Sequence, residues 1–135
     1  MNTHTLETVW APRMLSILRI VAAILFFEHG TAKLLGFPET GRPVPELFSV
    51  PWFAGALELI GGPLLILGLF TRPVAFILSG QMAVAYWLAH APQSAYPLLN
   101  SGDAAILYCF LFLYFVFAGP GPWSVDAWRE GRARA

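Results

Sequence analysis

The sequence predicts an all-α integral membrane protein, a four-helix bundle with up-down topology and both termini in the cytoplasm. Three observations carry that reading. Of the 135 residues, 57% are hydrophobic and only 12% charged, against about 25% charged in an ordinary soluble domain. Mean hydropathy is +0.63. Four apolar stretches also approach the roughly 17–25 residues that a spanning helix needs. Too few charges remain to coat a water-facing surface, so lipid is the natural solvent. The eight basic and eight acidic residues cancel, which removes the electrostatic case for nucleic acid. One cysteine excludes an internal disulfide and a cysteine-rich metal site. The composition equally excludes a disordered chain or a collagen-like repeat.

The first span runs over about residues 14–35, interrupted by Arg19 and by Glu28, His29 and Lys33. No small-residue cleavage site follows its apolar part, so it reads as a retained helix and not a signal peptide. A Gly/Pro-rich gap with Gly36, Pro38, Gly41, Pro43 and Pro45 ends it, with room for a short re-entrant piece around residues 44–48. The second span covers about residues 51–70 and carries one charge, Glu58. Gly61-Gly62-Pro63 predicts a kink in it. The third covers about residues 72–91 and must form a tight antiparallel hairpin with the second. The fourth covers about residues 103–119, with Asp103 placed as its N-cap. Residues 1–13 and 120–135 are cytoplasmic tails, and residues 1–135 form a single membrane domain. Strands are disfavoured, because each segment is about twice the length of a barrel strand and lacks alternation.

Orientation follows the distribution of Lys and Arg. An even number of spans puts both termini on one side with Arg13, Arg19, Arg72, Arg129, Arg132 and Arg134, against Lys33 and Arg42 on the other. Arg19 is expected to snorkel toward the cytoplasmic headgroups. Trp10, Trp123 and Trp128 then fall at the inner interface, with Trp52 and Trp87 nearer the outer one.

Ionisable residues within a bilayer are costly and mark functional sites by default. Glu28, His29, Lys33, Glu58, His90, Asn100 and Asp103 all fall in the outer third to half of the membrane, drawn from four helices. His29 and Lys33 share a helical face. Gly55, Glu58 and Gly62 form one stripe that lets a neighbouring helix approach. Ser79, Ala83, Tyr86 and His90 line one face of span three, and Gln81 lies opposite, in a different contact. Against this stands a plain structural role: Lys33 and Glu58 as an ion pair keeping spans one and two in register, and His90 as an interfacial histidine. Cys109 lies deep in an apolar run, where a thiol is inert packing. The sequence has no nucleotide-binding glycine motif. A haem between His29 and His90, or a metal held by Glu28, His29, Glu58 and His90, has suitable ligand types without recognised spacing, and no metal or haem is predicted.

The run Arg19 … Glu28-His29-Gly30-Thr31-Ala32-Lys33-Leu34, then Glu58-Leu59-Ile60-Gly61-Gly62, Gly68-Leu69-Phe70-Thr71-Arg72, Asn100-Ser101-Gly102-Asp103 and Gly119-Pro120-Gly121-Pro122-Trp123 resembles the DoxX family of bacterial four-helix membrane proteins. The resemblance covers about residues 14–128. One departure is Asp103, where the family usually has Glu. The resemblance implies a multi-pass protein of the bacterial cytoplasmic (inner) membrane and a quinone-interacting subunit of a redox system, acting with a partner subunit. It leaves catalysis by the chain itself open, since the wider superfamily includes cargo receptors and chaperones. In that setting Glu28 and His29 are the candidate catalytic pair for proton transfer. Lys33, Glu58, Tyr86, His90, Asn100 and Asp103 are the candidate quinone headgroup pocket. Quinone is the expected cofactor, the lipid bilayer and a redox subunit the expected partners, and a homo-oligomer is compatible. A non-enzymatic scaffold or chaperone, or a small-solute or proton transporter using the same carboxylates, is the alternative.

Overall fold

A computed structural model of the chain describes residues 2–133, whose regular structure is all helical, with no strand among them. Helix α1 runs Thr3–Leu35, with a wider π-helical turn at Leu6–Trp10. Helix α2 is Val50–Leu67. Helix α3 is Thr71–Ala85 and continues through a π-helical turn, Tyr86–His90. A short α4 (Pro97–Asn100), α5 (Asp103–Ala118) and α6 (Val125–Ala133) complete the chain. Two helices, α1 and α2, are long and apolar enough to cross a membrane. At about 1.5 Å per residue α1 is about 50 Å long, so it extends well past a hydrocarbon core of about 30 Å.

Burial is inverted relative to a water-soluble domain. Ser16, Arg19, Glu58, Thr71, Ser79 and Asn100 are buried, whereas Val21, Ile24, Ile60, Phe76, Ile77, Leu107, Phe110 and Phe117 are exposed. Inside, most of these polar side chains bond backbone groups, and apolar side chains supply the outer coat that lipid requires.

Neighbouring helices run antiparallel, because residue numbers fall on one partner as they rise on the other. On α1 and α2, Gly55 meets Leu34, Gly30 meets Leu59 and Gly62 meets Phe27. On α2 and α3, Gly61 meets Leu78 and Ala54 meets Gln81. On α3 and α5, Ser79 Oγ donates to the Cys109 carbonyl at 2.8 Å. The closest backbone packing lies within the pairs α1–α2 and α3–α5, with α2–α3 next. Between the pairs sits an aromatic core, where Phe26 meets Phe112 edge-on at 4.8 Å and Tyr108 at 5.3 Å.

The expected glycine stripe on α2 is present and is matched by Gly30 on α1. A Cβ at Gly30 would lie 2.7 Å from the Leu59 nitrogen and 3.0 Å from Glu58 Cβ. Gly30→Val is therefore expected to push α1 and α2 apart and cost about 2–3 kcal/mol. Thermal unfolding in detergent checks this, and an unchanged midpoint would show that the two helices do not need this close approach.

The α2–α3 hairpin turns through residues 68–70, as expected. Gly68 takes the left-handed conformation (φ 66°) that ends α2. Helix α2 continues through Pro63 without a break. Three expectations are corrected. Residues 44–48 form no re-entrant helix, only a turn at 47–48; Pro43 and Pro45 lack the N–H groups that a helix would use. The N-cap position of α5 belongs to Gly102, and Asp103 is the first helical residue, its side chain making no capping bond. Asn100 dictates this by accepting the Gly102 N–H at 2.8 Å.

The third correction is Arg19. It does not snorkel to the surface but is 0% exposed. Its guanidinium donates to the carbonyls of Leu65, of Ile66 at 2.9 Å, of Pro120 at 2.8 Å and of Trp123 at 2.5 Å. It thus caps α2 and ties the carboxy-terminal segment to it. The last turn of a helix leaves carbonyls without intrahelical donors, and a five-donor planar group suits several at once. At the same end, Arg72 donates to the carbonyls of Val116 and, at 2.8 Å, Phe117, capping α5. Asp126 accepts the Phe70 and Thr71 N–H groups at 3.0 and 2.8 Å, capping α3. Ser16 Oγ accepts the Trp123 N–H at 3.1 Å. This end of the molecule is held by charged caps. Arg134, counted with them by charge, lies outside the described residues.

Candidate functional site

The candidate residues lie toward the other end, and the structure divides them into three groups. In the first, Lys33 Nζ on α1 reaches Glu58 Oε1 on α2 at 2.5 Å. Gln81 on α3 donates to the same Glu58 oxygen at 3.0 Å and to the Ala54 carbonyl at 3.2 Å. Glu58 is 1% exposed, and the Lys33 side chain 37%. Glu58 Oε2 and Gln81 Oε1 are buried acceptors without a partner among the described residues. The glycines of the α1–α2 seam bring the two backbones close beside this pair.

In the second group the Tyr86 and His90 rings stack at 6.5 Å. His90 Nδ1 lies 2.9 Å from the Asn100 carbonyl oxygen. Buried Asn100 donates to the Ser94 carbonyl at 2.8 Å while holding the Gly102 N–H. These bonds shape the connection from α3 to α5. Asp103 is exposed beside them.

The third group is Glu28 and His29, both exposed on α1. The His29 ring stands edge-on to Tyr108 of α5 at 6.4 Å. Neither the Glu28 carboxylate nor the Tyr108 hydroxyl has a hydrogen-bond partner among the described residues. His29 lies within electrostatic range of Glu58, but no hydrogen bond or ion pair there joins the three groups. Also among those residues, no three His, Cys, Asp or Glu side chains converge in a way that could hold a metal ion.

Two participants were not singled out from the sequence. Gln81 faces away from His90 and makes a different contact, as expected, but the sequence reading does not name Glu58 as its partner. In a tight hairpin turning at residues 68–70, positions 58 and 81 stand nearly opposite each other, ten residues before the turn and eleven after it. Tyr108 was hidden within the aromatic run of the last span, where nothing distinguishes it from packing.

The comparisons with known proteins now bear on this arrangement. The DoxX family model matches residues 14–91, which hold most of α1, all of α2 and α3, and the whole Lys33–Glu58–Gln81 group. This chain belongs to the DoxX family. A protein of Haemophilus influenzae of undescribed function is 46% identical over 122 residues, covering 87% of this chain and 91% of the relative. The inner membrane protein YphA of Escherichia coli is 29% identical over 132 residues, covering 85% and 89%. A membrane protein of Mycobacterium tuberculosis, Rv3486, is 27% identical over 150 residues, covering 92% and 86%. No solved structure matches the chain significantly. The DoxX membership and these relatives agree with the inverted burial, and the chain is a membrane protein.

Proposed function

We propose that this DoxX chain is a quinone-interacting subunit of a redox system in the bacterial inner membrane, crossing it with α1, α2, α3 and α5 as an up-down four-helix bundle. The antiparallel order of those helices supports the topology. The basic residues at the α2–α3 turn and near both termini support a cytoplasmic position for the termini.

The observation that carries the functional reading is the α1–α5 seam. There Glu28, His29 and Tyr108 present ionisable and hydrogen-bonding groups on a surface otherwise built of apolar side chains. Unpartnered groups of this kind at membrane depth call for a partner, and a lipid-soluble molecule bearing carbonyl oxygens can reach them laterally. The residues present fit such a headgroup: His29 and the Tyr108 hydroxyl are donors for carbonyl oxygens, and the aromatic rings of the seam supply an apolar bed. When bound, a quinone supplies two-electron chemistry coupled to two protons. The chain's own residues bind and orient the headgroup. Glu28 and His29 hold or pass the protons, and Lys33, part exposed, lies one turn further along α1. The electrons require a redox centre on a partner subunit.

The test is extraction of the purified protein with organic solvent and chromatographic measurement of quinone against a control membrane protein. Glu28→Gln and His29→Ala are each expected to lower the retained quinone about tenfold, the effect of one lost hydrogen bond of about 1.4 kcal/mol. Full retention in both would remove the site. A second reading, a scaffold or chaperone that holds a partner in the membrane, draws on the Lys33–Glu58–Gln81 and Arg19 contacts, all of which bind helices together. Affinity purification from gently solubilised membranes separates the two: a stable redox partner supports the first, a redox-unrelated set the second.

A further inference from the structure

The end of the molecule that carries the termini holds a feature the quinone reading does not use. An open cleft of about 440 Å3 lies between the α2–α3 turn and α6, lined by Phe70, Thr71, Arg72, Pro120, Asp126 and Arg129. Its two arginines are only partly engaged. Arg72 commits Nη1 to the α5 carbonyls, and its Nε and Nη2 have no acceptor among the described residues. Arg129 rests its guanidinium over the Phe70 ring, 5.5 Å from the centroid, with no hydrogen bond or ion pair there. The Thr71 hydroxyl, in a residue that is fully buried, also has no partner.

Two acids, Asp126 and Glu130, also line the cleft, but among the described residues neither forms an ion pair with Arg72 or Arg129. Both Asp126 oxygens already accept backbone N–H groups at the start of α3. Glu130, also lining the cleft, is the one acid there without such an engagement. Depth identifies the anion. Exposed Trp10, Trp123 and Trp128 cluster near this end, and tryptophan collects at the level of the lipid headgroups. Arg132 stacks on Trp128 at 4.7 Å, adding a further cation at that level. The commonest anion there is a phosphate, and a guanidinium matches phosphate oxygens with paired N–H donors.

We propose that this cleft binds a phosphate group, presented by an anionic lipid headgroup or free in solution, between the guanidiniums of Arg72 and Arg129. The site is independent of any quinone chemistry at the opposite end.

Native mass spectrometry of the full chain in detergent, with phosphatidylglycerol, phosphatidylcholine and inorganic phosphate as probes, tests it. Phosphatidylglycerol is expected to be retained over phosphatidylcholine. Arg129→Gln is expected to weaken that retention about fivefold, the effect of one basic residue at a membrane surface. Arg72 also caps α5, so Arg129→Gln is the deciding variant, with its thermal midpoint as the check on folding. Displacement of the lipid by inorganic phosphate assigns the cleft to phosphate from either source; failure to displace it assigns it to the lipid. Equal retention of the two lipids with no phosphate bound, or retention unchanged by Arg129→Gln in a folded protein, overturns the proposal.

Discussion

Replacing Arg19 with methionine is expected to lower the thermal midpoint of the purified protein by roughly 10–20 °C, the consequence of about 3–5 kcal/mol lost in a chain of this size. Methionine keeps much of the volume and stays apolar, so the loss is not one of packing. It comes from the carbonyls of Leu65, Ile66, Pro120 and Trp123, which lose their only side-chain donor. The Leu65 carbonyl keeps the Gly68 N–H at 3.1 Å, whereas each buried acceptor left with no donor at all costs about 1–3 kcal/mol. Two of them belong to the end of α2 and two to the carboxy-terminal segment, so the damage couples a helix end to the fastening of the chain's last residues. Arg19→Lys keeps the charge but offers one nitrogen where three now act, and is expected to recover less than half of the loss. The tightness of the surroundings points the same way: a Cβ at Gly68 would lie 2.4 Å from Ser124 and 2.9 Å from the Arg19 guanidinium carbon. A midpoint unchanged in Arg19→Met would mean that water replaces the guanidinium at no cost, and that this end is far wetter than its burial indicates.

Arg19 also shows where sequence reasoning stops. Its place in the first apolar stretch was plain, and so was the cost of a charge there. A side chain five residues into the first apolar stretch can reach either water or buried carbonyls, and only the fold of residues 119–124 decides between them. Those residues form no regular element before α6, so no periodicity announces where they go. The α1–α2 seam was the opposite case. Gly55, Glu58 and Gly62 on one stripe already implied a close neighbour, and the spacing of Lys33 from the loop put it at matching depth. The sequence argument rested on depth, and depth alone does not give azimuth. Helix α3 stands between Glu58, which meets Gln81, and Asn100, which meets His90 on the far side, and so one inferred cluster became separate groups. Tertiary azimuth is set by which helices pair most closely, here α1 with α2 and α3 with α5, and that depends on small residues distributed over the whole chain.

The Lys33–Glu58 pair is the place where structure and function can be told apart by a double-mutant cycle. Lys33→Met leaves a carboxylate 1% exposed with Gln81 as its one remaining side-chain donor. Breaking a fully buried pair costs about 3–5 kcal/mol; because the Lys33 side chain is 37% exposed, about 2–3 kcal/mol is expected here. Glu58→Gln leaves the ammonium facing an amide and is expected to cost less, since lysine can turn toward solvent. The double variant, neutral at both positions, is expected to be more stable than the sum of the single changes predicts, by about 1–3 kcal/mol. Thermal unfolding of the four proteins measures this, and strict additivity would show that the two groups do not interact in the membrane. The quinone content of the same four proteins then decides the role of the pair. If Lys33 and Glu58 only hold α1 and α2 in register, the double variant regains quinone retention along with its stability. If they serve the headgroup site, stability returns and quinone does not, because Glu58 Oε2, the buried acceptor with no partner of its own, has been replaced by an amide that cannot take up or release a proton.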